Sequence, residues 1–282
     1  VWEHASAYTE FHADDIKQDH LGYIVENRLL QLALWQQIQL QKNISLYCPE
    51  TLHSFNQVED SVELVLSNCQ IKAKLLIAAD GAHSKVRQLA GIGTTGWDYQ
   101  QSAMLINVET KQSQQNITWQ QFTATGPVAM LPLAGESNLG GYASLVWYHH
   151  TDEIKHLSQL SPTKLQQAVL QSFPERLGDI KVLSQAAFPL TRRHANRYQQ
   201  HRVLLLGDAA HSINPMAGQG VNLGFKDVKA LQTVIATAIS EGEAWHEPNV
   251  LARYQLLRRK DNLMMMSTLD AIYQTFNHLS PV

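Results

Sequence analysis

A carboxylate and a glycine follow a strongly apolar run in the last third of the chain. The run 202–206 is typical of a buried strand, and Gly207 and Asp208 come directly after it. In α/β sheets, ligands bind at the carboxyl ends of the strands, so Asp208 stands where a ligand would meet it. A glycine at that point lets a ligand approach the backbone closely. We therefore expect a ligand site at this strand end.

The loop that follows this strand end opens a helix. Pro215, Gly218 and Gly220 shape the loop, and the helix is predicted from Val221 to about Ser240. A helix N-terminus carries the positive end of the helix dipole, which favours a ligand that is or becomes anionic. On the residues alone, a loop that is merely tight stays an alternative, because Gly and Pro occur in many turns.

A second apolar run ends in a polar turn earlier in the chain. Residues 73–79 are predicted to form a buried strand, which runs into Asp80 and Gly81. Residues 84–90, which include Arg87, are predicted to form a short helix. The residues alone allow two interpretations, a second part of a ligand site or a strand-end turn followed by a helix cap.

A literal GxGxxG pattern occurs at Gly91, Gly93 and Gly96. Dinucleotide binding through this pattern needs a strand before it and a helix after it, so that backbone amides and the helix dipole face the pyrophosphate. Here the predicted helix 84–90 precedes the glycines. Gly91 is therefore interpreted as a helix C-terminal cap.

The remaining elements place these motifs in a mixed α/β chain. Apolar residues recur every three or four positions from Val25 to Trp35, which predicts a helix over residues 20–40. Residues 101–148 contain several strand-like stretches separated by Gly, Pro and Asn, which indicates an antiparallel sheet. Ser161 followed by Pro162 predicts a helix that ends before Pro174, and a last helix is predicted from about residue 250 past residue 266.

Composition excludes several classes of protein. The 282 residues carry 22 Lys and Arg against 25 Asp and Glu, a net charge of -3, which gives no electrostatic argument for nucleic-acid binding. Apolar runs fall well below the roughly 18 residues that a membrane helix needs. With only Cys48 and Cys69 and no zinc-like spacing of Cys and His, we expect a cytoplasmic protein without a metal site.

Three segments together resemble the single-component flavoprotein aromatic hydroxylases. GDAAHSINPMAGQGVNLG, residues 207–224, is similar to the second FAD-binding signature of these enzymes, and in particular to the branch that acts in ubiquinone biosynthesis. AADGAHSKVR, residues 78–87, resembles their Asp-Gly motif, which lies near the flavin and the nicotinamide nucleotide. VENR, residues 25–28, resembles the helix whose Arg reaches the FAD pyrophosphate. Intervening strings such as LGYIVENRLLQLALWQ and FPLTRRHA resemble the branch member that performs the last ring hydroxylation before the final O-methylation.

The resemblance implies a set of FAD contacts. Asp208 would accept a hydrogen bond from a ribitol hydroxyl, and the loop before the helix would line the isoalloxazine. Asp80 and Arg87 would organise the Asp-Gly motif. The implied cofactor-binding residues are Arg28, Asp80, Gly81, Arg87, Gly207, Asp208, Pro215, Gly218, Gln219, Gly220, Val221 and Asn222. No catalytic acid or base is assigned.

The implied chemistry is a flavin monooxygenation. NAD(P)H reduces FAD, O2 adds to the reduced flavin, and the resulting C4a-hydroperoxide delivers a hydroxyl to a polyprenyl benzoquinol ring, while the protein supplies orientation and excludes water. Two alternatives stay open: hydroxylation at another position of the same ring, and a catalytically silent body that serves as a partner in a biosynthetic complex.

The resemblance also implies the architecture. We expect an FAD-binding domain like that of para-hydroxybenzoate hydroxylase, combined with an antiparallel β-sheet substrate domain. Because no strand, GxGxxG and helix precede residue 20, and the chain begins at Val1, we expect the N-terminal βαβ unit to be absent. The predicted assignment gives 1–19 and 101–195 to the substrate domain, and 20–100 and 196–282 to the FAD-binding domain.

Two groups of basic residues have alternative interpretations. Arg192, Arg193 and His194 could touch substrate, but we favour a charged surface turn. On the last helix we favour a solvated face beside an apolar stripe, although contact with anionic lipid at the inner membrane would suit a polyprenyl substrate. The basic residues of this second group are Arg253, Arg258, Arg259 and Lys260.

Overall fold

The computed structural model of the protein describes residues 1–4, 6–112 and 116–277. The chain forms two compact units. The first contains residues 1–45, 100–190 and the C-terminal residues from Thr275, and the second contains residues 46–99 and 191–274. The end of the predicted segment 196–282 lies outside the described residues.

The described residues form fourteen strands and six α-helices. The strands are β1 (Trp2–His4), β2 (Ala7–Tyr8), β3 (Leu52–Val58), β4 (Ser61–Leu66), β5 (Gln70–Ala73), β6 (Leu76–Ala78), β7 (Thr94–Thr110), β8 (Trp119–Thr123), β9 (Gly126–Glu136), β10 (Gly141–His150), β11 (Ile180–Ala195), β12 (Gln199–Gln200), β13 (Val203–Leu205) and β14 (His211–Ser212). The helices are α1 (Asn27–Gln39), α2 (Lys85–Leu89), α3 (Thr151–Leu157), α4 (Pro162–Ser172), α5 (Gly220–Ser240) and α6 (Pro248–Asn277).

The first unit is built on an antiparallel sheet. β10 pairs with β7 on one side and with β9 on the other, and β9 pairs with β8. Side chains from these strands, including the fully buried Met104 and Leu145, pack against Leu165 and Val169 of α4. The predicted antiparallel sheet is therefore confirmed.

The helices of the first unit show how local signals set their ends. The Ser161 side chain accepts a hydrogen bond from the Lys164 amide, and Pro162 is the first residue of α4, as predicted. The prediction for α1 was too long, because this helix begins at Asn27 and Val25 precedes it. Leu29 and Trp35 of α1 are exposed.

The second unit contains a parallel strand pair covered by helices. β6 and β13 run parallel, with Leu205 opposite Ala78, and β12 is antiparallel to β13. Val203, Leu204 and Leu205 are fully buried among residues of α5 and α6. The predicted strand over residues 73–79 is wrong in extent, since β5 ends at Ala73 and β6 covers only Leu76–Ala78.

The remaining strands of the second unit form a separate antiparallel sheet, in which β4 lies between β3 and β5. No helix among the described residues combines the length and apolar character that crossing a bilayer requires.

Candidate functional site

The two polar turns singled out in the sequence leave the same edge of the parallel strand pair. β6 ends at Ala78 and β13 ends at Leu205, and these two residues are opposite each other in register. Because parallel strands point in one direction, the turn with Asp80 and Gly81 and the turn with Gly207 and Asp208 both follow the carboxyl ends. The structure therefore brings the two motifs together.

Arg87 connects the two turns. Its guanidinium donates to the carbonyl oxygen of Ala82 at 2.7 Å and to that of Ala209 at 2.8 Å. Asp80 accepts a hydrogen bond from the Val86 amide at 3.1 Å, which fixes the turn against the start of α2. Burial lowers the pKa of Arg87, while the nearby Asp80 carboxylate opposes that shift. The buried, positively charged side chain of Arg87 therefore links the two turns through their backbone carbonyls.

The carboxylate of Asp208 is free to bind a ligand. Its side chain is exposed, and among the described residues it has no hydrogen-bond partner. Partial burial raises the pKa of Asp208, an effect that His211 opposes. Gly207 has φ of +56°, in the left-handed region. A methyl group added at Gly224 of α5 would come to 3.5 Å from the Gly207 Cα, so the turn lies directly against the helix backbone.

The loop before α5 is held by its own hydrogen bonds. The buried Asn214 side chain accepts from the Met216 amide at 3.1 Å, and Pro215 opens a short 3-10 turn. Gly218 follows with φ of +61°, another left-handed position. A methyl group added at Gly218 or Gly220 would meet open space.

The start of α5 presents backbone amides at this loop. The helix begins at Gly220 without a side-chain cap, and Asn222 donates to the Gln219 side chain at 3.3 Å. Val221 is 58% exposed. The first amides of a helix have no carbonyl partner within the helix and carry the positive end of its dipole.

These residues fit a flavin nucleotide. An accessible carboxylate without a protein partner suits a sugar hydroxyl, and a helix N-terminus suits the pyrimidine edge that becomes anionic on reduction. Open space at the loop glycines leaves room for a flat ring. Arg28 is a separate matter: it is exposed on α1, in the first unit, and its contact with the pyrophosphate stays a prediction.

A buried polar network, which the sequence did not reveal, lies directly behind the Gly207 turn. The Asp227 carboxylate, fully buried on α5, accepts from the Gly207 amide at 3.1 Å and from His211 Nε2 at 2.6 Å. Its other oxygen accepts from Arg258 Nε at 2.7 Å and from Asn262 Nδ2 at 3.2 Å, both on α6. Burial alone would raise the pKa of Asp227, but these hydrogen bonds and the adjacent His211 hold it below its ordinary value.

The network continues from Asn262 to a buried tyrosine and a histidine. Asn262 Nδ2 also lies 3.2 Å from the Tyr198 hydroxyl, which lies 2.9 Å from His194 Nε2. His194 is 3% exposed. Burial, together with the charges of Arg259, His211 and Arg192, lowers the pKa of His194 to about 4. This end of the network is neutral at physiological pH.

One sequence signal could have revealed Asp227. The buried positions of α5 include Leu223, Leu231 and Val234, and Asp227 falls in the same apolar stripe. An acid in such a stripe requires buried partners. His211 lies within the quoted FAD-binding segment, but nothing local links it to a residue 16 positions away.

Two interpretations of basic residues are corrected by the structure. The favoured surface turn at 192–194 is wrong, because these residues belong to β11, where Arg192 and His194 are buried. The prediction of a solvated basic face on α6 is also wrong in part. Arg258 is buried against Asp227, and Arg253 makes two hydrogen bonds with Glu243, at 3.0 and 2.6 Å.

Comparison with known proteins assigns the family. The model of a family described as "FAD binding domain" matches residues 25–262. The chain belongs to this FAD-binding family. It is 47% identical to 3-demethoxyubiquinol 3-hydroxylase of Escherichia coli (strain K12), over the whole chain and 71% of that protein. It is 36% identical to the ubiquinone hydroxylase UbiL of Rhodospirillum rubrum, over 94% of the chain and 61% of that protein.

A solved structure with a similar fold is that of p-nitrophenol 4-monooxygenase PnpA from Pseudomonas putida DLL-E4. The TM-score is 0.73 at 21% identity, over 91% of this chain and 65% of that one. The predicted mixed α/β class with a para-hydroxybenzoate-hydroxylase-like fold is therefore confirmed. The prediction of an FAD-dependent flavoprotein monooxygenase of the ubiquinone-biosynthesis branch is also confirmed. The chain thus spans about two thirds of the length of the proteins it matches.

Proposed function

We propose that this FAD-binding chain serves the hydroxylation of a polyprenyl benzoquinol ring in ubiquinone biosynthesis, at the position on which 3-demethoxyubiquinol 3-hydroxylase acts. The identity of 47% over the whole chain supports the ring position. When bound, FAD would take electrons from NAD(P)H and transfer one oxygen atom of O2 to the ring.

In this proposal the described residues bind and orient the cofactor. Asp208 accepts a hydrogen bond from a ribitol hydroxyl, and the Gly218–Gly220 loop lies along the ring. The amides of Val221 and Asn222 face the pyrimidine edge, where the dipole of α5 stabilises negative charge. Arg87 keeps the turns after β6 and β13 in one arrangement through its two carbonyl contacts.

The observation that carries the proposal is the unpartnered Asp208 carboxylate at the end of β13. Its neighbours Arg87 and Asp227 are satisfied by protein groups, whereas Asp208 has none among the described residues. Asp208 is exposed at the carboxyl end of β13, where ligands bind in α/β sheets, so a cofactor hydroxyl can reach its carboxylate.

The test is FAD titration of the full natural polypeptide that contains this chain, followed by visible flavin absorbance. We expect Asp208→Ala to weaken FAD binding by at least tenfold, since a hydrogen bond to a charged group contributes about 1.5–3 kcal/mol. Asp60→Ala, at a 96% exposed side chain of the same unit, is the control and should bind FAD as the wild type does. Unchanged flavin binding in Asp208→Ala would overturn this role.

Product analysis decides the ring position. The polypeptide is incubated with NAD(P)H, O2 and each quinol intermediate of the pathway in turn, and the hydroxylated product is identified by mass and by ring substitution. Turnover of demethoxyubiquinol supports the proposal, and turnover of another intermediate alone favours the second candidate, hydroxylation elsewhere on the same ring. FAD binding without any turnover favours a silent partner in a biosynthetic complex.

A polyprenyl substrate also leads us to infer contact with the membrane surface. The support comes from α6, where Leu256, Leu257 and Met264 are exposed and Lys260 lies among them. Arg258 no longer contributes, because it is buried. Co-sedimentation with anionic and with neutral liposomes tests the contact, and equal recovery with both would count against it.

A further inference from the structure

The Asp227 carboxylate has all of its acceptor sites filled by protein groups. One oxygen receives the Gly207 amide and His211 Nε2, and the other receives Arg258 Nε and Asn262 Nδ2. Two hydrogen bonds per oxygen use the acceptor capacity of an ionised carboxylate. Asp227 therefore has nothing left with which to bind a ligand directly.

The Asp227 carboxylate also has a cationic partner within the network. The guanidinium of Arg258 lies 2.7 Å from it and compensates its charge. His211 Nε2 completes the set of donors, and the buried Nδ1 of His211 has no hydrogen-bond partner among the described residues.

The contact with Gly207 connects this network to the proposed cofactor site. Gly207 has a left-handed conformation, and its amide orientation sets the direction in which Asp208 leaves the strand end. The Asp227 hydrogen bond fixes that amide from behind. Helix α6 thereby acts on the turn through Arg258 and Asn262, although neither residue contacts the turn.

We propose that Asp227 is a positioning residue for FAD, which holds the Gly207 amide so that Asp208 meets the cofactor, and that Arg258 acts through it. This inference rests on the proposed function, because Asp208 must bind FAD for its orientation to matter. The competing explanation is that Asp227 only joins α5 to α6. The two differ in whether the effects of Asp227 and Asp208 on FAD affinity are coupled.

The experiment is a double-mutant cycle in the full natural polypeptide. FAD dissociation constants are measured for the wild type, Asp227→Asn, Asp208→Ala and the double variant. Asp227→Asn replaces one carboxylate oxygen with an NH2 group, which cannot accept hydrogen bonds. One of the two donor pairs, Gly207 with His211 or Arg258 with Asn262, therefore loses its acceptor. We expect Asp227→Asn to weaken FAD binding about tenfold or more in the wild-type background, but less than about twofold when Asp208 is already Ala.

Asp261→Asn is the matched control. Asp261 also pairs with Arg258, at 3.1 Å, but its side chain is 60% exposed and it does not contact Gly207. We expect its FAD affinity to stay within about twofold of the wild type. Unfolding of each variant without FAD is measured alongside, so that a loss of stability is separated from a loss of affinity.

Arg258→Lys keeps the test decisive if Asp227→Asn does not fold. A Lys retains the charge but loses the Nε contact with Asp227, so weaker FAD binding is expected only where Asp208 is present. Equal losses in both Asp208 backgrounds, or no loss in either variant, would overturn the positioning role. Absence of FAD binding in the wild type would instead refute the proposed function.

Discussion

His194 should make the stability of the second unit depend on pH. The side chain is 3% exposed, and burial together with three nearby positive groups lowers its pKa from 6.5 to about 4. The Tyr198 hydroxyl can donate to His194 Nε2 only while that nitrogen is unprotonated. The folded state therefore favours the neutral ring, whereas the unfolded chain accepts a proton near pH 6.5.

The direction and size of this change in the free energy of unfolding follow from proton linkage. Above about pH 6.5 both states hold neutral His194 and nothing is lost; as the pH falls towards 4, only the unfolded state takes up the proton and stability decreases. A difference of about 2.5 pKa units makes the loss roughly 1 kcal/mol at pH 5.5 and roughly 3 kcal/mol at pH 4.5, with an upper limit of about 3–4 kcal/mol.

The contribution of His194 can be measured by urea unfolding of the wild type and of His194→Gln. Tryptophan fluorescence gives the free energy of unfolding of each protein between pH 7.5 and pH 4.5. Gln retains an acceptor for Tyr198 but does not titrate, so the free energies of unfolding of the two proteins should converge as the pH falls. Other titrating groups contribute equally to both. Parallel curves over the whole range would refute the reasoning.

Two further predictions concern the backbone. Gly96→Ala should lower the free energy of unfolding by about 3 kcal/mol or more in thermal or urea unfolding, because its Cβ would lie 1.9 Å from the Arg192 carbonyl oxygen. Gly91→Ala is the comparison: Gly91 has φ of +66° but open space around it, so this substitution should cost only about 1 kcal/mol. Ser161→Ala should cost about 1 kcal/mol, because α4 loses the cap on the Lys164 amide; an unchanged midpoint would show that the cap contributes nothing.

Local patterns predicted those elements whose signals are contiguous. The apolar run before Gly207, the Pro and Gly residues of the following loop, and the Ser161 cap each act over a few residues, and the structure has a strand, a turn and a helix there. The common edge of the Asp80 and Asp208 turns could also be anticipated, since carboxyl ends of parallel strands meet ligands.

The remaining part of the site depends on contacts between distant residues. Asp227 and Arg258 are 31 positions apart on different helices, and neither helix alone shows that both side chains are buried. In the same way, the sequence around Arg192 and His194 predicted a charged turn because their partners, Asp270 and Tyr198, are supplied by other segments. A charge pattern indicates a solvated surface only when no such partner folds against it.

Gly207 and Gly224 approach each other closely without side chains between their backbones, unlike most contacts that a helix makes. Helices usually pack at about 8–10 Å because side chains fill the gap. Here main chain meets main chain, so no rotamer can readjust to absorb a displacement of α5. The spacing between the start of α5 and the Asp208 turn is consequently set by this main-chain contact. In the proposed FAD site, altered flavins should therefore be accommodated on the loop side.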